Sequence, residues 1–141
     1  MNQTAIFSPL FAMIFLTMAV WVYMYARRLP FIARSKLRPE QLTPLEFARL
    51  SPPEVANPSD NLKNLFEVPV LFYVLALYLF VTSQVDTTHL VAAWIFFVFR
   101  ALHSAVHCTV NIVPLRFALY LVGSLAVAVM AVRAVLQHLG Y

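Results

Sequence analysis

Between Ile6 and Ala26 the chain runs for 21 residues without a charged side chain. An α-helix rises about 1.5 Å per residue, so this run covers about 30 Å, the thickness of a bilayer's hydrocarbon core. Three more apolar stretches follow. They are Leu65 to Val81, interrupted by Glu67 and Pro69; about Leu90 to Val110, which holds Arg100, His103 and His107; and Pro114 to about Leu136. Inside a membrane every backbone polar group must be satisfied internally, and a helix does this within one segment. The expected fold is therefore all-α: an integral membrane four-helix bundle in a single domain over residues 1–141. Its helices are expected near 5–28, 60–82, 88–110 and 114–137.

Composition agrees. Charged residues are 11% of the chain and hydrophobic residues 62%, whereas a soluble domain carries about 25% charged residues. A basic net charge of +4 would raise nucleic acid as a partner. However, seven of the ten basic residues lie between Arg27 and Lys63, where they suit a loop facing anionic headgroups. No basic stripe carries the interleaved aromatics of a single-strand binder, so no nucleic-acid partner is expected. The lone Cys108 forms no disulfide within the chain and reads as a small buried hydrophobe.

Residues 30–59 hold six prolines and much of the charge, and read as a long polar loop with a short helix near Pro44 to Leu50. Ser59 or Asp60 could cap the second helix. The connections at 82–88 and 111–113 are short, so helices 2, 3 and 4 are antiparallel neighbours. Arg27 and Arg28 follow the first run rather than precede it, which indicates a retained anchor and not a signal peptide. The positive-inside rule puts the 30–59 loop in the cytoplasm and both termini on the non-cytoplasmic side. Arg133 lies near a helix end, where its side chain can snorkel to water. His89 and His138, in turns or ends, need no function.

An ionisable group in a span costs about 2.5–3.5 kcal/mol on insertion scales, so it needs a partner or a task. Asn64 and Glu67 are spaced i, i+3, and Pro69 beyond them frees the carbonyl of Leu65. Arg100, His103 and His107 share one face of helix 3. Arg100 is the deepest, and Glu67 is its expected counter-ion by depth. Arg116 and Tyr120 share a face at the start of helix 4. These groups converge at one depth on three helices and would suit a small zwitterion of net negative charge. An arginine beside a thiol favours the thiolate. His103 and His107 lack a third ligand, so no metal is expected. An Arg–Glu pair could also simply lock helices together.

At these residues the chain resembles the membrane-associated proteins in eicosanoid and glutathione metabolism, the MAPEG family. The matching pieces are Asn64-x-x-Glu67 in NLFEVPVLFY, then Arg100-x-x-His103, then Pro114-x-Arg116-x-x-x-Tyr120, over about residues 57 to 125. The resemblance implies a homotrimer with glutathione as co-substrate, bound between subunits near the cytoplasmic side. It implies that Arg116 stabilises the glutathione thiolate. It also implies that Asn64, Glu67, Arg100, His103 and Tyr120 bind glutathione or build its site, and His107 on the same face of helix 3 is a further candidate binding residue.

Three positions depart from the prostaglandin E synthase type: His107 replaces a tyrosine, Asp60 a basic residue and Phe117 a serine. They argue against prostaglandin isomerisation and resemble the bacterial branch, which implies a bacterial inner membrane. The expected activity is a glutathione-dependent transferase or peroxidase acting on lipophilic electrophiles or lipid hydroperoxides. A lipid-binding scaffold on the same fold is the alternative. A small four-helix transporter is a third reading, although such transporters usually carry a glutamate in the first span.

Overall fold

The computed structural model describes residues 2–140. Its helices are α1 (Phe7–Ser35), α2 (Pro44–Leu50), α3 (Pro53–Asn64), α4 (Val68–Val81), α5 (Thr87–Cys108) and α6 (Val113–His138). Single 3-10 turns lie at Gln3–Ile6 and Pro39–Leu42. Four segments are long and apolar enough to cross a membrane: Gln3–Ser35, Pro53–Val81, Thr87–Cys108 and Val113–His138. Only 28% to 39% of the most apolar window in each is buried within the chain. Phe15, Leu71, Val98 and Val132 are among the large apolar side chains that face outward. Water would not tolerate that surface, whereas lipid would. The molecule is a four-helix bundle of a multi-pass membrane protein.

The bundle core is a column of interlocked side chains. Met13 of α1, Phe72, Ala76 and Leu79 of α4, Ala93 and Phe96 of α5 and Met130 of α6 are all fully buried. Phe72 and Phe96 meet with ring centroids 4.8 Å apart. Small residues on α5 and α6, including Ala92, Gly123 and Ala126, are buried between them. Small side chains let two helices approach closely in a membrane, where the hydrophobic effect gives no help.

The 30–59 stretch is mostly helical, not a loop. Helix α1 continues through Pro30 to Ser35 and stops at Lys36, whose φ of 48° is left-handed. Its extension is held by α2: the Arg28 guanidinium lies 4.3 Å from the centre of the Phe47 ring, and Phe31 packs edge-on to the same ring. The short helix at Pro44–Leu50 stands where the sequence indicated. Helix α3 begins at Pro53 rather than at residue 60. Proline suits the first helical turn, where its missing N–H costs nothing. Ser59 and Asp60 are therefore interior residues and not caps. Ser59 Oγ donates back to the Val55 carbonyl, and Asp60 pairs with Lys63 at 2.9 Å.

The end of the bundle that carries both termini is tied together by Asp86. Its carboxylate caps α5 by accepting the His89 backbone N–H at 2.9 Å, and it also accepts from Arg133 and Gln137 of α6. Arg133 is thus paired rather than merely snorkelling. His89 is not an idle turn residue: it is fully buried with its Nδ1 3.0 Å from Asp86. Gln3 adds a two-bond amide clamp onto Val85.

Partial burial works against ionisation of Asp86, but the His89 N–H and the Arg133 guanidinium outweigh it and hold the carboxyl below its ordinary range. A lowered pKa means that the stabilisation is complete at neutral pH and is lost as pH falls through the folded-state value. Asp86→Asn should destabilise the protein by about 1–3 kcal/mol at neutral pH. Thermal unfolding in detergent would check this, and the wild-type advantage should shrink on acidification.

Candidate functional site

The site grows from α5. Residues three, four and seven apart share a helix face, and here Arg100, His103, Ser104 and His107 all turn inward. Arg100 is fully enclosed. A buried guanidinium has five donors and cannot shed its proton, so it must find acceptors. Its Nη2 donates to the backbone carbonyl of Asn64 at 2.6 Å, and its Cζ lies 5.4 Å from the centre of the Tyr120 ring. Nε and Nη1 have no hydrogen-bond partner among the described residues.

A backbone carbonyl inside a helix is normally taken by the residue four positions on. Asn64 is available because the second span is broken there. Helix α3 ends at Asn64, Leu65 to Glu67 form an irregular turn, and α4 starts at Val68 with Pro69 in its first turn. The acceptor that Arg100 uses is the Asn64 carbonyl, which keeps only a long contact of 3.5 Å from the Glu67 N–H. The break corrects one expectation: Asn64 and Glu67 do not share a helix face, because no helix joins them. Glu67 lies exposed at the bend and forms no ion pair with Arg100 among the described residues. The expected Arg100–Glu67 pair is replaced by a bond to the main chain.

Arg116, in the first turn of α6, is held from two sides. Its Nη1 donates to the Asn111 side-chain oxygen at 2.7 Å. Its own carbonyl accepts from His103 Nδ1 at 2.7 Å. A carbonyl can only accept, so Nδ1 of His103 carries the proton. The His103 ring in turn meets Tyr120 at 6.0 Å and His107 at 5.5 Å between centroids. Asn64, Arg100, His103, His107, Arg116 and Tyr120 are therefore brought to one region. Glu67 bonds to none of them among the described residues, but its carboxylate lies near enough for its charge to act on Arg100.

Four polar residues at this end escaped the sequence reading. Asn61 of α3 is fully buried and joins α5 by accepting from Ser104 Oγ and donating to Cys108 Sγ. Asn57 accepts from the Asn111 amide at 3.1 Å. The available signal was Asn57 and Asn61 at i, i+4, aligned with Ser104 and Cys108 at the same spacing on another span. Cys108, expected as a small buried hydrophobe, is only half-buried and accepts a hydrogen bond from Asn61.

The electrostatics are one-sided. Both arginines of the cluster are bound only by neutral groups: a carbonyl and a ring for Arg100, an asparagine for Arg116. In a low-dielectric setting an uncompensated cation is costly, and an anion nearby offsets that cost. The fold and site define a polytopic helical membrane protein with an electropositive cluster at one end of its bundle. Comparison with protein families places it further: the MAPEG family model matches residues 6–136, nearly the whole chain, and the chain belongs to that family. Comparisons with curated proteins and with solved structures gave no match. The family is one of membrane proteins associated with glutathione.

Gly123 packs beside the Arg100 stem. A side chain there would meet Phe96 at 3.5 Å, Phe99 at 3.7 Å and the Arg100 stem at 3.8 Å. Those are ordinary contact distances for one methyl group. Gly123→Ala should therefore leave thermal stability nearly unchanged. Gly123→Leu should cost about 1–3 kcal/mol by overpacking against the arginine, as thermal unfolding in detergent would show.

Proposed function

We propose that this protein is a glutathione-dependent transferase or peroxidase acting on lipophilic electrophiles or lipid hydroperoxides dissolved in the bilayer. The observation that carries the reading is the pair of arginines with neutral partners only, one of them fully buried, in a chain of the MAPEG family. Glutathione is a net anion, and its thiolate adds a second negative charge. Arg116, half-buried at the mouth of the cluster, is the residue that stabilises this thiolate. Asn64, Glu67 and Tyr120 are the groups open enough to touch the peptide, with Glu67 suited to its ammonium. Arg100 sits behind them and contributes its field, while His103 and His107 shape the wall.

In the transferase reaction the thiolate sulfur bonds to the electrophilic carbon and the leaving group departs. In the peroxidase reaction two glutathiones are oxidised to the disulfide, while the hydroperoxide becomes an alcohol and water. The bundle offers an apolar groove for the co-substrate. A groove of about 750 Å³ runs between α4 and α6, lined by Leu71, Val74, Val127 and Ala131, and it starts at Val68 beside Glu67. The arginines of the α1 extension favour the cytoplasm for this end by the positive-inside rule, with both termini opposite. We further propose a homotrimer in a bacterial inner membrane, with glutathione held between adjacent subunits.

Adding glutathione to the purified protein should produce the ultraviolet absorbance of a thiolate at neutral pH. Arg116→Gln should reduce that signal about tenfold or more, while thermal stability stays close to wild type. Absence of any thiolate or any glutathione binding in the wild type would overturn the reading.

A further inference from the structure

We infer that Asn111 and Asn57 form a positioning clamp for Arg116, fixing its guanidinium to α3 so that its charge is held at one place in the site. The inference rests on the proposal that Arg116 stabilises the thiolate.

A free arginine side chain near the membrane surface samples many rotamers, and its time-averaged field on any one atom is weak. Arg116 does not have that freedom. Its Nη1 donates to Asn111 Oδ1 at 2.7 Å, and the same amide donates from Nδ2 to Asn57 Oδ1 at 3.1 Å. The three residues come from α6, the α5–α6 turn and α3, so the chain of bonds crosses the end of the bundle. Asn111 serves as relay because it has both an acceptor and a donor on one planar group. Its partners are neutral, so the clamp restrains Arg116 without neutralising it. An aspartate or glutamate in the same place would anchor the arginine and cancel the charge that the thiolate needs.

The backbone at Asn111 is also specific. Its φ of 48° lies in the left-handed region, where asparagine and glycine are the residues most easily accommodated. Its N–H closes the turn onto the Val106 carbonyl at 2.7 Å. Asn111→Gly therefore keeps the turn and removes only the clamp. Asn57→Ala leaves the turn untouched and cuts the far end of the same chain.

The test is a pH titration of thiolate absorbance for full-length protein saturated with glutathione. Asn111→Gly should raise the apparent pKa of the bound thiol by about one unit, a tenfold loss of thiolate at a given pH below it. Glutathione affinity measured below that pKa, and the melting temperature, should change little. Asn57→Ala should shift the same titration in the same direction by a smaller amount. The double variant should shift it no further than Asn111→Gly alone, because both substitutions break one chain. If Asn111→Gly does not fold, Asn57→Ala reads the same quantity.

A wild type that forms thiolate while both variants titrate like it would overturn the clamp and leave the role of Arg116 standing. Additive shifts in the double variant would also overturn it. A wild type that forms no thiolate would overturn the Arg116 proposal and the clamp together.

Discussion

A guanidinium buried in the middle of a membrane bundle dictates the arrangement around it. Arg100 cannot lose its proton and cannot reach water, so the fold must bring acceptors to it. It does so by interrupting the second span. The carbonyl of Asn64 is released from its helix at the α3–α4 break and accepts from Arg100 at 2.6 Å. The Tyr120 ring covers another side of the cation, and Gly123 lies beside the stem. One buried charge thus ties α5 to the broken span and to α6 at the depth where the other polar residues gather.

Around that charge the partners are consistently neutral. Asn61, Ser104 and Cys108 link α3 to α5, Asn57 and Asn111 link α3 to the turn and Arg116, and His103 links α5 to the α6 backbone. No carboxylate bonds to either arginine among the described residues. Asp60 is spent on Lys63 at the surface, Glu67 is exposed at the bend, and Asp86 serves the opposite end of the bundle. An arrangement built only to lock helices together would gain from a carboxylate beside Arg100. On the proposed function, leaving the arginines without a bonded carboxylate keeps this end of the protein attractive to an anion.

Much of this was legible in the sequence. The four spans, their short connections and the inward face of α5 follow from charge-free run lengths and from the i, i+3, i+7 spacing of Arg100, His103 and His107. The short helix at Pro44–Leu50 was also visible. What was not legible has physical causes. Pro30, Pro53 and Pro58 suggested a loop, but proline at a first turn or on a well-packed helix does not end it, and tertiary contacts through Phe47 kept α1 helical to Ser35. Glu67 looked like the partner of Arg100 because charge and depth agreed, yet a main-chain carbonyl won, and carbonyls carry no sequence signature. The Asn57–Asn111–Arg116 chain and the Asp86 cluster join residues some 50 positions apart, beyond the reach of any local pattern.

The account stands on the claim that this end of the bundle favours negative charge at the sulfur of glutathione. The most direct measurement compares equilibrium binding of two analogues to the full-length protein. In glutathione sulfonate the sulfur group is anionic; in S-methylglutathione it is neutral. The account predicts tighter binding of the sulfonate at neutral pH and loss of that preference in Arg116→Gln. Equal affinity for the two analogues, or a preference that survives the substitution, would contradict it.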